Sequence, residues 1–100
     1  MNEQDIFQKI TDEFYWFHRH PELSYEEVET TKRLREDLAA TGIEVLDLPL
    51  KTGLVAKVGT GEAPFIALRC DIDGLPIQEE SGLAYASEHA GRMHACGHDF

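Results

Sequence analysis

Apolar residues recur every three or four positions near the start of the chain, which predicts a helix over residues 2–20. Pro21 ends this helix, because its ring fixes the backbone and it has no amide hydrogen to donate. His18 and His20 lie near the end of the helix, where positive charge interacts favourably with the helix dipole. The predicted apolar face consists of Ile6, Ile10, Phe14 and Phe17.

A second helix is predicted to follow after a short connection. Ser24 and Glu27 have the spacing of a capping box, in which each side chain accepts a hydrogen bond from the other residue's backbone amide. Gly42 is a suitable C-terminal stop, because glycine readily adopts the conformation that ends many helices. The stripe expected to face inward consists of Val28, Thr31, Leu34 and Leu38.

Beyond Gly42 the chain changes to short apolar runs separated by glycine and proline. Residues 43–48 and 54–58 predict two strands, and the continuously apolar run 65–68 is typical of a central strand covered on both faces. Cys70, at the end of that run, is expected to be a buried small hydrophobe. Helices followed by strands predict an α/β fold, with two N-terminal helices packed on a mixed β-sheet.

Composition and charge narrow the class of protein. The hydrophobic fraction of 42% is that of a globular chain, and the formal net charge of −10 repels phosphate backbones and anionic lipids. We therefore expect neither nucleic acid nor a membrane as a partner. No apolar run reaches the roughly 18 residues that cross a bilayer, and the acidic start lacks a signal-peptide pattern. The cytoplasm is the expected location.

The last residues of the chain carry its most reactive side chains. In an extended segment His94, Cys96 and His98 would share one face. Thiolate and imidazole are good ligands for zinc and other divalent transition metals, and Gly97 allows close approach to an ion or a sharp turn. Cys96 and His98 are therefore candidate metal ligands. His94 and Asp99 are candidates for orienting a ligand without binding the metal themselves.

Two further carboxylates follow the third predicted strand. Binding sites in open α/β sheets collect just beyond the carboxyl ends of strands. Asp71 and Asp73 would point to one side of the chain there, if the strand continues. The alternative interpretation is a surface turn with solvated charges, and the residues alone leave both open.

Three separated segments, taken together, resemble the M20 metallopeptidases, specifically their amidohydrolase branch. The segments are residues 17–24, 71–77 and 93–99. That branch includes hippurate hydrolases, N-acyl-amino-acid deacylases and auxin-conjugate hydrolases. The resemblance implies that residues 1–100 are the N-terminal part of a zinc-peptidase-like catalytic domain. The remainder of that domain and a dimerisation domain would lie downstream, and the full-length protein would be a homodimer.

The resemblance also implies roles for individual residues. Cys96 and His98 would be metal ligands, with Cys96 at the position of a bridging aspartate in the wider family. Asp73 would orient a ligand, for which His98 is the preferred partner, and Asp71 stands where other branches have a metal-binding histidine. No residue of this chain corresponds to the family's glutamate general base. Two divalent ions are implied per full-length protein, with manganese, zinc, cobalt and nickel as candidates.

The implied reaction is hydrolysis of the amide bond of N-acyl amino acids or short peptides by a metal-activated water. The 100 residues alone are expected to be inactive, because they lack the general base, and to fold poorly, because strand edges would stay unpaired. The alternative hypothesis is a stand-alone metal-binding or interaction module without hydrolase activity. A third is a purely structural fragment that binds nothing.

Overall fold

The computed structural model describes residues 2–98. Helix α1 spans Glu3–Arg19 and helix α2 spans Val28–Ala40. Strands β1 (Glu44–Val45) and β2 (Ala56–Lys57) pair in antiparallel orientation. The predicted α/β fold with two N-terminal helices is confirmed, and the sheet within the described residues is a two-stranded antiparallel one. Neither helix has the length and apolar character needed to cross a bilayer.

Both ends of α1 are closed by nearby polar groups. Asn2 Oδ1 accepts a hydrogen bond from the amide of Asp5 at 2.8 Å, and the Asp5 carboxylate accepts from the Asn2 amide in return. At the other end, the amide of His20 donates to the carbonyl oxygen of Trp16 at 3.1 Å. The Nδ1 atom of His20 lies 2.8 Å from the same oxygen. The predicted helix-end position of His20 is thus confirmed.

Glu22 caps the start of α2 from outside the helix. Its two carboxylate oxygens accept hydrogen bonds from the amides of Glu29 at 3.1 Å and Thr30 at 2.6 Å. These amides belong to the first turn, where backbone donors have no partner inside the helix. A negative charge at this end also interacts favourably with the helix dipole. Glu22 therefore fixes the approach of the chain into α2.

The predicted capping box of Ser24 and Glu27 is wrong. The hydroxyl of Ser24 donates to the Asp73 carboxylate at 3.2 Å, and Glu27 makes no side-chain cap bond. Glu27 is instead buried, and its Oε1 accepts from the hydroxyl of Thr52 at 3.2 Å. Both side chains are occupied by segments distant in the sequence, and these partners outcompete the local cap.

The predicted stop at Gly42 is confirmed. This residue has a φ of 76°, in the left-handed region that favours glycine. Its amide donates to the carbonyl of Ala39 at 3.1 Å, and the amide of Ile43 donates to the carbonyl of Leu38 at 3.0 Å. These two bonds form a Schellman motif, which satisfies carbonyls that the helix end would otherwise leave open.

Polar and aromatic side chains join the two helices. Arg33 of α2 donates from Nε and Nη2 to the two carboxylate oxygens of Glu13 in α1, each at 3.2 Å. The guanidinium carbon lies 4.4 Å from the centre of the Trp16 ring, within the range of a cation–π interaction. Burial alone would raise the pKa of Glu13, but hydrogen bonds led by that from Arg33 hold it below its ordinary value. The carboxylate of Glu13 therefore stays ionised at neutral pH.

Apolar side chains of the described residues lie largely at the surface. Among residues 2–98 the ring of Pro21 is the only apolar side chain that is buried. Ile66 and Leu68 are 96% and 97% exposed. The predicted central strand at 65–68 is absent from the described structure, because no neighbouring strand pairs with it there. Cys70, expected to be buried, is exposed for the same reason.

Three distant segments come into backbone contact at Gly74. The amide of Gly74 donates to the carbonyl of Glu22 at 2.6 Å, and Leu75 exchanges two hydrogen bonds with Met93 at 2.7 and 3.0 Å. A Cβ at position 74 would lie 2.9 Å from the Cβ of Pro21 and 3.3 Å from the carbonyl oxygen of Met93. We call this contact of Pro21, Glu22, Gly74, Leu75 and Met93 the Gly74 junction. The space between Pro21 and Met93 is therefore large enough only for glycine at position 74.

Replacement of Gly74 by alanine is expected to destabilise the protein, because the new methyl group meets a proline ring and backbone. Overpacking of this kind costs about 1–3 kcal/mol. The thermal midpoint of the protein should fall accordingly. Gly61→Ala is the matched control, since a Cβ there meets nothing within 4 Å. An unchanged midpoint for Gly74→Ala would contradict the close approach.

The Glu22 cap predicts a pH dependence of stability. Burial alone would raise the pKa of Glu22, but hydrogen bonds from Thr30 and Glu29, with the charge of Arg92, hold it below its ordinary value of 4.5. A carboxyl with a lowered folded-state pKa stabilises the fold above its unfolded-state pKa, and this contribution is lost as pH falls through the folded-state pKa.

Glu22→Gln should therefore lower the free energy of unfolding at neutral pH and reduce its loss on acidification. Urea unfolding of the intact protein between about pH 7 and about pH 3 measures both effects. Glu26→Gln is the control, because the Glu26 side chain is exposed. If the free energy of unfolding changes with pH in the same way in Glu22→Gln and the unaltered protein, the assigned cap is contradicted.

Candidate metal centre

Cys96 and His98 lie on a sharp turn at the end of the described chain. Gly97 between them has a φ of 81°, which bends the backbone in a way that favours glycine. The amide of His98 donates to Sγ of Cys96 at 3.4 Å and closes the turn. The expected extended segment, with alternating side chains on one face, is wrong for this reason. Both candidate ligands are exposed.

His94 occupies a different environment from these two residues. It is half-buried and lines a cavity of about 190 Å³ between the helices and residues 70–72. The side chains of His18, Thr30 and Asp71 also line this cavity. The burial separates His94 from the exposed turn, and its role in orienting a ligand stays a prediction.

The two aspartates make separate contacts. Oδ1 of Asp71 lies 2.7 Å from Nη2 of Arg69 in an exposed ion pair, whereas Asp73 accepts the hydrogen bond from Ser24. No regular strand continues through residues 71–73. Within the described residues, Asp73 makes no hydrogen bond to His98, so its orienting role stays a prediction. Asp99 lies outside the described residues.

The donor set of the turn fits a transition metal. A thiolate sulfur and an imidazole nitrogen are the ligand types that zinc, cobalt and nickel favour. In the part of the chain that the structure describes, no three His, Cys, Asp or Glu side chains converge closely enough to hold an ion. Cys96 and His98 therefore stay candidate ligands, two donors where a metal site needs three or four.

Glu79 is a buried carboxylate that sequence patterns did not reveal. Its side chain is 3% exposed, and its oxygens lie 3.0 and 3.2 Å from Nε2 of His18. The amide of Ser87 donates to it at 2.9 Å, and the hydroxyl of Ser81 donates as well. Burial alone would raise the pKa of Glu79, but these donors hold it below its ordinary value. A glutamate in a polar loop carries no sequence signal of such burial.

Comparisons with known proteins agree with the motifs. Residues 67–100 match the model of peptidase family M20/M25/M40. The chain is 58% identical over 85 residues to an N-acetylcysteine deacetylase of Bacillus subtilis, covering 83% of this chain and 22% of that protein. It is 46% identical over 100 residues to IAA-amino acid hydrolase ILR1-like 2 of Arabidopsis thaliana, covering 93% of this chain and 23% of that protein.

The fold also matches a solved structure. The Bacillus subtilis YXEP protein, described as a dinuclear metal binding peptidase from the M20 family, superposes with a TM-score of 0.93 and 48% identity. The match covers 98% of this chain and 28% of that one. The chain thus spans about a quarter of the length of the relatives it matches. With three motifs in order, a family match over residues 67–100 and a shared fold, this chain belongs to the M20 peptidase family.

Proposed function

We propose that the intact protein is a metal-dependent amidohydrolase that cleaves the amide bond of N-acyl amino acids. The observation that carries the proposal is the exposed Cys96-Gly97-His98 turn in a chain so similar to an N-acetylcysteine deacetylase. The deacetylase and the IAA-amino acid hydrolase are each named for a substrate in which an acid is joined to an amino acid. An N-acyl amino acid or short peptide is the shared substrate class.

The proposal includes two divalent ions per intact protein, by analogy with the dinuclear relative. Sγ of Cys96 and a ring nitrogen of His98 would hold metal, and manganese, zinc, cobalt and nickel are the candidate ions. When bound, such an ion polarises the scissile carbonyl and lowers the pKa of a bound water. The turn at Gly97 keeps both donors exposed and therefore accessible to the ion.

The remaining residues have supporting parts in this proposal. Asp73 would orient His98 in the intact protein, and His94 and Asp99 would support the ligand turn without binding metal. Asp71 would lie beside the site on the cavity wall. A general base from outside this chain would take the proton of the attacking water. Residues 1–100 would form the N-terminal part of the catalytic domain of a cytoplasmic homodimer, and would be inactive alone.

Hydrolysis of N-acetyl and N-benzoyl amino acids by the intact protein tests the proposal. Amine release should stop after treatment with a chelator and return when Mn²⁺ or Zn²⁺ is added. Cys96→Ala should lower kcat/KM by about 100-fold or more, because it removes a ligand and not only a supporting contact. Cys70→Ala is the matched control, since Cys70 is also an exposed thiol but lies outside the turn.

Full activity after chelation, or in Cys96→Ala, would contradict the metal mechanism. Tight, stoichiometric metal binding without hydrolysis of any N-acyl amino acid would instead favour the alternative of a metal-binding module.

A further inference from the structure

Residues 76–92 form a loop that precedes the Cys96-Gly97-His98 turn. The two ends of this loop, here called its neck, are held together by hydrogen bonds. Leu75 and Met93 exchange their two hydrogen bonds where the loop begins and ends. Just inside the neck, Oε1 of Gln78 accepts from the amide of Gly91 at 2.7 Å. Met93 is followed directly by His94. Contacts that fix this loop therefore also fix the start of residues 94–98, here called the ligand segment.

The body of the loop is attached to the end of α1. The amide of Glu88 donates to the carbonyl of Arg19 at 2.8 Å, and the ring of Tyr85 stacks on that of Tyr15 at a centroid distance of 4.2 Å. The third attachment is the contact between Glu79 and His18. This carboxylate is buried against its ring, whereas the carboxylate of Glu88, which lies 3.8 Å from Nε2 of His20, is exposed.

The contact between Glu79 and His18 is specific for a carboxylate. Both oxygens lie within hydrogen-bond distance of the same ring nitrogen, so Nε2 of His18 carries the hydrogen and donates. The amide of Ser87 and the hydroxyl of Ser81 donate to the same two oxygens. A glutamine would offer one oxygen and turn an NH₂ group toward donors. Because the side chain is buried, water cannot repair that mismatch.

The ring of His18 also reaches the neighbourhood of the ligand segment. It lies against Phe14 and Tyr85, and it lines the same cavity as His94. A carboxylate held on one side of this ring thus fixes both the loop and one wall of the cavity that His94 completes. Two routes, through the loop neck and across the cavity, connect Glu79 with the residues before Cys96.

We propose that Glu79 and His18 form a positioning pair that holds the Cys96-Gly97-His98 turn where it binds metal. This inference rests on the proposed function and deepens it, since it assigns support of the ligand turn to two residues that do not bind metal. The pair acts through Met93 and His94. Its loss therefore weakens metal binding even in protein that remains folded.

Titration of the metal-free intact protein with Co²⁺ tests the proposal without reference to activity. Competition with a chelator gives the dissociation constant, and the absorption of a cobalt–thiolate bond reports whether a thiolate is coordinated. Glu79→Gln should weaken Co²⁺ binding about tenfold and reduce this absorption per bound ion. Glu80→Gln is the matched control, because Glu80 is the neighbouring carboxylate and is exposed.

The variant His18→Phe tests the same pair independently. It keeps an aromatic ring against Phe14 and Tyr85 but removes the Nε2 donor. If the two residues act as a pair, the double variant should bind Co²⁺ no more weakly than the weaker single variant. Either single variant suffices if the other does not fold, and circular dichroism identifies the folded ones.

The outcomes separate this inference from the proposed function. Unchanged Co²⁺ binding by a folded variant, even one with a lower thermal midpoint, would overturn the positioning role and leave the proposed function intact. Additive losses in the double variant would overturn the pairing. Failure of the unaltered protein to bind Co²⁺ would overturn both proposals. Weakened binding with an unaffected Glu80→Gln control supports the pair.

Discussion

The close approach of three backbones at Gly74 determines how the rest of this chain is arranged. Only a residue without a side chain allows Pro21 and Met93 to come this near on either side. The hydrogen bonds at the Gly74 junction then link the end of α1, the cap of α2 and the start of the ligand segment. The three motifs by which the chain resembles its family are therefore parts of one structural contact. That contact sets where Cys96 and His98 lie relative to the helices.

Polar contacts, and not a hydrophobic core, hold the described residues together. The buried set is small and includes His18, Glu27 and Thr30, whereas the large apolar side chains stay accessible. Charged groups can be buried only with partners, because a lone charge loses its hydration. Glu22 and Glu79 are examples, because backbone amides seven or eight residues further along the chain donate to each carboxylate. Such directional contacts define the relative position of segments more narrowly than apolar packing does.

Local features of the structure could be predicted from the sequence, and long-range ones could not. The first helix follows from its apolar period, and the stop at Gly42 follows from the conformational freedom of one residue. Cys96 and His98 are candidate ligands because their donor side chains lie two residues apart in the sequence, and this assignment stays a prediction. The cap was wrongly assigned to Ser24, because Glu22 and the partner of Ser24 are fixed only by the fold. Glu79 escaped prediction for the same reason.

Anomalous diffraction from crystals of the intact protein soaked in Zn²⁺ tests the role of the Cys96-Gly97-His98 turn most directly. We expect an anomalous peak about 2.3 Å from Sγ of Cys96 and about 2.0–2.1 Å from a ring nitrogen of His98. The hydrogen bonds between Leu75 and Met93 should remain in place in the same crystals. A peak at other side chains, or an ordered turn at Gly97 without metal under these conditions, would contradict this role.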